Sequence, residues 1–507
     1  MANNLNSSPV AELALPAGLA GGTRLGASLL KGLLTTFASL ISGYFVVAAG
    51  MLYWIVAGAG ALGAKVFPRA LIARSPLAWL IAATGLTAFL TQSVPGFFPN
   101  YSNPREVLLE VAFWLSIGLV ARAYLIYTEC ASTFDGIDAS IACRPLERRL
   151  ASILHHPVDA VFTRVWVANS VLMAPMTVLL ILPGTMNYFT IMAYATMLLI
   201  GQFPQEIVEH QNIHTRVFAP KIGASRPVKM LLNVLQFYFE YVFALLTSRV
   251  PGFYRVQHVY VHHAEDNGPL DTQTTLPYDR TSFLDFSLHA FWQSVDLVSG
   301  GLLIDYLAKK GKKRQLREVV KGLAIWWGFV LAVAIFNPAA AVYLFLSRFL
   351  GGPFITLITF YQHGLVDPND PHDVHGHTID FVDAEHGNLG FDYHVEHHMK
   401  PSRHWSHYYE EYTRLAEKNG GHPAIVMQKE QFGPLALMAA LWRKDYAAIA
   451  RHAHLRDVPL DDPAELSRIV AERTRPIGAP MRSGLAATID RGISKAMAVA
   501  MPTSFAV

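Results

Sequence analysis

Nine histidines, in three clusters and one singlet beside hydrophobic stretches, carry the chemistry open to this 507-residue sequence. His210 and His214 form HxxxH, His258, His262 and His263 form HxxxHH, and His394, His397 and His398 form HxxHH. His363 stands alone between the second and third clusters. On a helix, residues three or four apart share a face, so each cluster aims two imidazoles at one point. The doublets add a neighbouring ring that can turn toward a second point, so the set can hold two metal ions with imidazole alone. With 21 histidines in the chain, one specified three-histidine pattern arises by chance roughly 0.04 times in this length.

Imidazole suits iron, zinc and copper alike, so ligand type alone does not name the metal. A structural zinc site uses four ligands, usually thiolates, and nine histidines exceed what one ion can take. Two ions sharing them keep open positions for water or dioxygen. Attack on an unactivated C–H bond requires an oxidant that only a metal cofactor supplies. Cys130 and Cys143 are too few for an iron–sulfur or rubredoxin centre and read as ordinary reduced thiols.

The elements that must position these rings are apolar. The chain is 52% hydrophobic, 16% charged and has mean hydropathy +0.29. Hydrophobic runs occupy 35–59, 77–90, 107–126, 165–182, 185–200, 320–336 and 339–360, several reaching the roughly 20 residues that span a bilayer. This predicts a multi-pass membrane protein. The polar leader 1–23 does not read as a cleavable signal, and a net charge of +3 does not suggest nucleic acid. Lys65, Arg69, Arg74, Arg144, Arg148, Arg149 and Arg164 mark cytoplasmic loops by the positive-inside rule, which brings the first histidine cluster into the cytoplasm.

If the first two clusters meet, the chain cannot cross once between them, so 230–246 is expected to be an interfacial or re-entrant helix. The same holds for 283–307, interrupted by Asp285, His289, Asp296 and Asp305. Two spans broken at Asn337-Pro338 then return His363 and the third cluster to the same face. Five spans before the first cluster place the N-terminus outside, unless the glycine-rich 43–63 forms a helical hairpin. From about Tyr408 the chain turns polar, with amphipathic stretches at 435–455 and 464–475.

These boxes resemble those of the membrane fatty acid desaturase and hydroxylase superfamily over roughly 165–408. The segment 390–401 (GFDYHVEHHMKP) is similar to the third desaturase box with its trailing proline. Glu265, Asp266, Asn267 and Asp271 resemble the acidic stretch after the second box. The resemblance implies a di-iron site ligated by His210, His214, His258, His262, His263, His363, His394, His397 and His398, with dioxygen as co-substrate. Two features instead resemble the alkane and xylene hydroxylase branch. These are the HxxxHH spacing and the surroundings of His363, FYQHGL at 360–365.

Ligating imidazoles donate their second N–H to an acceptor that fixes the tautomer. Glu206, Glu209, Asp285, Asp392 and Glu396 are candidates by proximity in sequence, Glu396 foremost; each is equally readable as an ordinary solvated carboxylate. His372, His375, His377 and His386 read as a solvated or hydrogen-bonded loop, with an accessory metal or substrate contact as the alternative. His404 and His407 read as ordinary or as partners of the ligands, and His155, His156, His289, His422, His452 and His454 as ordinary.

The expectation is therefore an all-α, multi-pass membrane enzyme with a cytoplasmic helical cap carrying a histidine-rich di-metal site. Its divisions are an N-terminal transmembrane extension (1–164), a catalytic domain (165–408) and a cytoplasmic helical tail (409–507). The resemblance implies a fatty-acyl desaturase of a bacterial inner membrane, with hydroxylation as runner-up and a metal-ion transporter as a remote alternative. The sequence shows neither a GxGxxG fingerprint between a strand and a helix nor a haem motif. Electrons are thus expected from a separate ferredoxin, rubredoxin or cytochrome b5 with its reductase. Lys221, Arg226, Arg255, Lys400 and Arg403 could attract such an acidic partner, or be ordinary membrane-proximal charge.

Overall fold

A computed structural model describes residues 24–94, 96–128, 145–382, 387–418, 424–427, 433–456, 460 and 462–478. The leader 1–23, Cys130, Cys143, His386 and His422 lie outside the described residues. Helices dominate, joined by one small sheet. Six described helices are long and apolar enough to cross a membrane: Gly32–Val66, Pro104–Thr128, Pro157–Ile181, Arg226–Leu246, Lys313–Phe336 and Pro338–His363. Pro76–Thr91 is a shorter apolar helix. The chain is a multi-pass membrane protein. It divides into two compact units, one of Met1–Val47, Phe253–Val320 and Phe349–Val507, the other of Ala48–Gly252 and Lys321–Arg348.

In the unit of Ala48–Gly252 and Lys321–Arg348, small residues and buried polar bonds tie the helices, as the lack of a hydrophobic drive between helices in lipid requires. A Cβ on Gly63 would stand 2.3 Å from the carbonyl oxygen of Gly118, so both must be glycine for these helices to meet. The hydroxyls of Thr87 and Ser116 lie 2.8 Å apart, and Asn169 donates to Gln205 at 3.1 Å. Helix Tyr188–His214 runs unbroken through Pro204 into the first histidine cluster. It contains most of the run expected at 185–200 but is not among the six long apolar helices.

Arg226–Leu246, expected as interfacial, has the length and composition to cross. It is nevertheless two-sided. Met230, Leu231, Val234 and Phe237 are exposed, whereas Asn233 accepts from Arg216 and Gln236 donates to Asn212.

The other unit holds a core of Tyr278, Phe283, Phe286, Phe360, Leu441 and Trp442 among others. The expected single element at 283–307 is two helices, Phe283–Ser299 and Gly301–Lys309, hinged at Gly300 with φ 69°. Asp296, read from the sequence as an interruption, caps the second helix by accepting from the N–H groups of Leu302 and Leu303. Helix Gly351–His363 lies against Phe283–Ser299 at backbone distance, since a Cβ on Gly352 would meet Ser294 Oγ at 2.1 Å and the Ala290 carbonyl at 2.6 Å.

Residues 435–455 do not form one helix. Lys444 adopts φ 58° after Pro434–Arg443, a short helix Tyr446–Arg451 follows, and the stretch ends in a strand. That strand, β3 (Ala453–Leu455), pairs antiparallel with β2 (Ile425–Met427), which pairs parallel with β1 (Ile379–Phe381).

Candidate metal centre

Helix Gly351–His363 ends on its histidine, and helix His394–Met399 carries the third cluster. With the second cluster they bring His262, His363, His394 and His398 together, all buried, their candidate ligand nitrogens within 4.8 Å of one another. The tautomers follow from the partners. His262 Nδ1 lies 2.6 Å from Asp271 Oδ2, His398 Nδ1 2.6 Å from Asp266 Oδ1, and His363 Nδ1 2.9 Å from the His377 carbonyl oxygen. A carboxylate or carbonyl can only accept, so each Nδ1 carries the proton and each Nε2 keeps its lone pair.

His363 Nε2 and His394 Nε2 stand 2.9 Å apart. His398 Nε2 is buried with no hydrogen-bond partner among the described residues. Buried ring nitrogens gathered this closely fit a cation, which can take a lone pair from each.

A second point of convergence lies in the same unit. His263 Nε2 is 3.1 Å from His258 Nε2 and 2.8 Å from His397 Nε2, and the latter two are 3.4 Å apart. His258 and His263 are five residues apart, a spacing that an α-helix would splay. Here His258–His262 form a π-helical turn, closed by a hydrogen bond from the His263 N–H to the His258 carbonyl, and the wider turn returns both rings to one side. His397 Nδ1 meets the Tyr408 hydroxyl at 3.0 Å.

The first cluster lies in the other unit, at the end of Tyr188–His214. His210 is buried, His214 half-buried, and their rings are 5.0 Å apart. Glu206 and Glu209 both pair with Arg249, Glu206 at 2.8 Å.

The carboxylates named by proximity in sequence have these bonds. Glu206 and Glu209 serve Arg249, Glu396 serves Arg456 at 2.7 Å, and Asp285 accepts from the Asp279 N–H at 2.8 Å. Asp392 is buried, and its backbone carbonyl accepts from Phe381. Asp266 and Asp271 bond His398 and His262, and their signal was the acidic stretch after the second cluster. Asp266 and Asn267 both take left-handed backbone, φ 53° and 58°, a region that short polar residues tolerate.

Among the loop histidines, His375 and His377 are buried and His372 is exposed. His377 Nε2 lies 3.4 Å from Asp266 Oδ2. His404 bonds Ser406, and His407 is exposed beside Glu410. Of the five cations considered for docking, Arg255 pairs with Glu318, and Lys400 and Arg403 with Glu411. Lys221 and Arg226 are exposed.

Burial pushes the His398 imidazole down to about 4, despite Asp266. Burial also disfavours charge on His262, but Asp271 outweighs it and raises that ring's pKa. Asp266 would be raised by burial, yet the bonds from His377 and His398 hold it well below the usual carboxylate range.

Compared with known proteins, residues 223–429 match the family described as fatty acid desaturase. No curated protein and no solved structure matches the chain.

Proposed function

We propose, from the premise that residues 223–429 belong to the fatty acid desaturase family, that this protein is a dioxygen-dependent di-iron enzyme. Its reaction introduces a double bond into the hydrocarbon chain of a membrane lipid or fatty-acyl substrate. One observation carries the reading: within the matched segment, seven imidazoles converge on two adjacent points with no thiolate among them.

One iron would be held by His262, His363, His394 and His398. The other would be held by His258, His263 and His397; the resemblance also implies His210 and His214 as ligands. When bound, the iron pair supplies the redox chemistry that reduces dioxygen to an oxidant able to remove hydrogen from an unactivated carbon. Asp271, Asp266 and the His377 carbonyl hold His262, His398 and His363 in the tautomer that presents Nε2 inward. Burial of the rings excludes bulk water, which limits unproductive release of oxidant.

The two-electron requirement calls for an external carrier, a ferredoxin, rubredoxin or cytochrome b5 with its reductase. The site is assigned to the cytoplasmic face on the distribution of basic loops. The exposed apolar residues Met230, Leu231, Val234 and Phe237, with the polar-bonded Asn233 and Gln236 on the same helix, support an interfacial setting for it. Hydroxylation is the second reading, favoured by the HxxxHH spacing that the π-turn accommodates.

Expression in a host with a simple lipid profile, followed by chromatography of its acyl chains, tests the reaction. New double bonds are expected. Hydroxylated chains or alkanols alone would replace desaturation with the second reading.

A further inference from the structure

The third histidine cluster is gripped by residues far beyond it in sequence. Arg456, next after β3 and 3% exposed, donates through Nη1 to Glu396 Oε1 at 2.7 Å, with Asp380 Oδ2 at 3.7 Å. Through Nη2 it donates to the Tyr412 carbonyl at 2.7 Å, and its guanidinium lies 4.2 Å from the centroid of the Tyr412 ring. Its own N–H bonds the Ala424 carbonyl at 2.8 Å. Glu396 sits between His394 and His397 on their short helix, and Asp380, in β1, accepts from the Val395 N–H at 2.9 Å. The six-residue helix is too short to be stable alone, and these bonds hold it from both sides.

A second tie lies farther on. Arg280, fully buried, donates to the carbonyls of Thr275 and Tyr278 and to those of Arg473 and Arg475. Thr275 in turn donates to the His363 carbonyl at 2.8 Å, and Val366 donates to the Arg473 carbonyl at 2.9 Å. The end of helix Pro463–Arg473 is thus fastened to the loops beside Asp271 and His363. Arg456, Arg473 and Arg475 lie past residue 429, where the family match ends, while the groups they hold lie within it.

We propose that the C-terminal stretches 453–456 and 462–477 are working parts of the metal centre, with Arg456 the positioning residue that sets the third histidine cluster through Glu396. Arginine suits the role because one planar guanidinium reaches Glu396, Asp380 and the Tyr412 carbonyl at once; a lysine ammonium cannot hold that fork. Removing it leaves two buried carboxylates with no cation, whereas neutralising Glu396 as well removes much of that penalty.

The inference rests on the metal-centre reading, and the experiment separates the two. Full-length wild type, Arg456→Met, Arg456→Lys, Glu396→Gln and Glu396→Gln/Arg456→Met are loaded with ferrous iron. Iron per chain, the rate of iron release to a chelator and the unfolding temperature of the iron-free protein are then measured. Arg456→Met is expected to release iron at least tenfold faster and Arg456→Lys to remain impaired. The double variant should release iron no faster than Arg456→Met, because both substitutions break the same contact. If Arg456→Met does not fold, Glu396→Gln carries the test, with release expected at least tenfold faster than in a variant destabilised to the same unfolding temperature away from the histidines. Wild-type release rates in the folded variants, with only the unfolding temperature lowered, would reduce Arg456 to a structural role and overturn the inference. A wild-type protein that holds no iron would instead fail the metal-centre reading, and this inference with it.

Discussion

Asp266 Oδ1 receives the Nδ1–H of His398 at 2.6 Å, joining the second and third histidine clusters across 132 positions of sequence. Asp266 reaches that place only because its backbone is left-handed, φ 53°, immediately after a π-turn and a single helical turn. The bond decides which ring nitrogen of His398 faces the metal point.

Asp266→Ala and Asp271→Ala should therefore weaken metal retention without touching a ligand. Partners of this kind change metal affinity or activity by about 10–100-fold. Iron release to a chelator checks this, and release as slow as wild type in both variants would contradict the assigned tautomers.

Gly352→Val should disturb His363 from eleven residues away. The added side chain must displace Ser294 and the Ala290 carbonyl, separating helix Gly351–His363 from Phe283–Ser299. Overpacking of this kind costs about 1–3 kcal/mol. A lowered unfolding temperature with reduced iron content is expected; an unchanged protein would show that the two helices do not need this contact.

Cysteines placed at Ala219, Gly268 and Asp383 should all react with an impermeant reagent from the cytoplasmic side. Arg226–Leu246 is long enough to cross, so opposite labelling of Ala219 and Gly268 would make it a true span and separate the first cluster from the second.

Acid should loosen the segment after the third cluster. Burial raises the Glu411 carboxyl, but hydrogen bonds from Lys400 and Arg414 and the charge of Arg403 hold it down, at about 2. An unfolded glutamate titrates near about 4.3. Because the folded value is the lower one, the stabilisation is fully present above the unfolded value and is lost as pH falls toward 2. The protection of residues 400–414 against hydrogen exchange, relative to the intrinsic rate at each pH, should fall over that window in wild type and change much less in Glu411→Gln.

Much of the site was legible because metal ligation confines histidines to short spacings, and short spacings survive in sequence. The π-turn was foreshadowed by the third intervening residue in HxxxHH, although only the backbone shows how that residue is absorbed. The partners of the histidines were harder to read. Glu396 lies inside the third cluster yet faces Arg456 from sixty residues downstream, while Asp266 and Asp271 act across a loop. His377 looked like any residue of a polar loop, but its carbonyl holds His363. The sheet escaped notice because each strand has three residues, too few to show a period of two.

The central claim, that imidazoles alone hold a pair of irons, is tested most directly by metal analysis of the purified protein. About two irons per chain are expected in wild type, with both iron and turnover lost in His262→Ala and in His397→Ala, one ligand from each point of convergence. Full iron occupancy and activity in either variant would contradict the account.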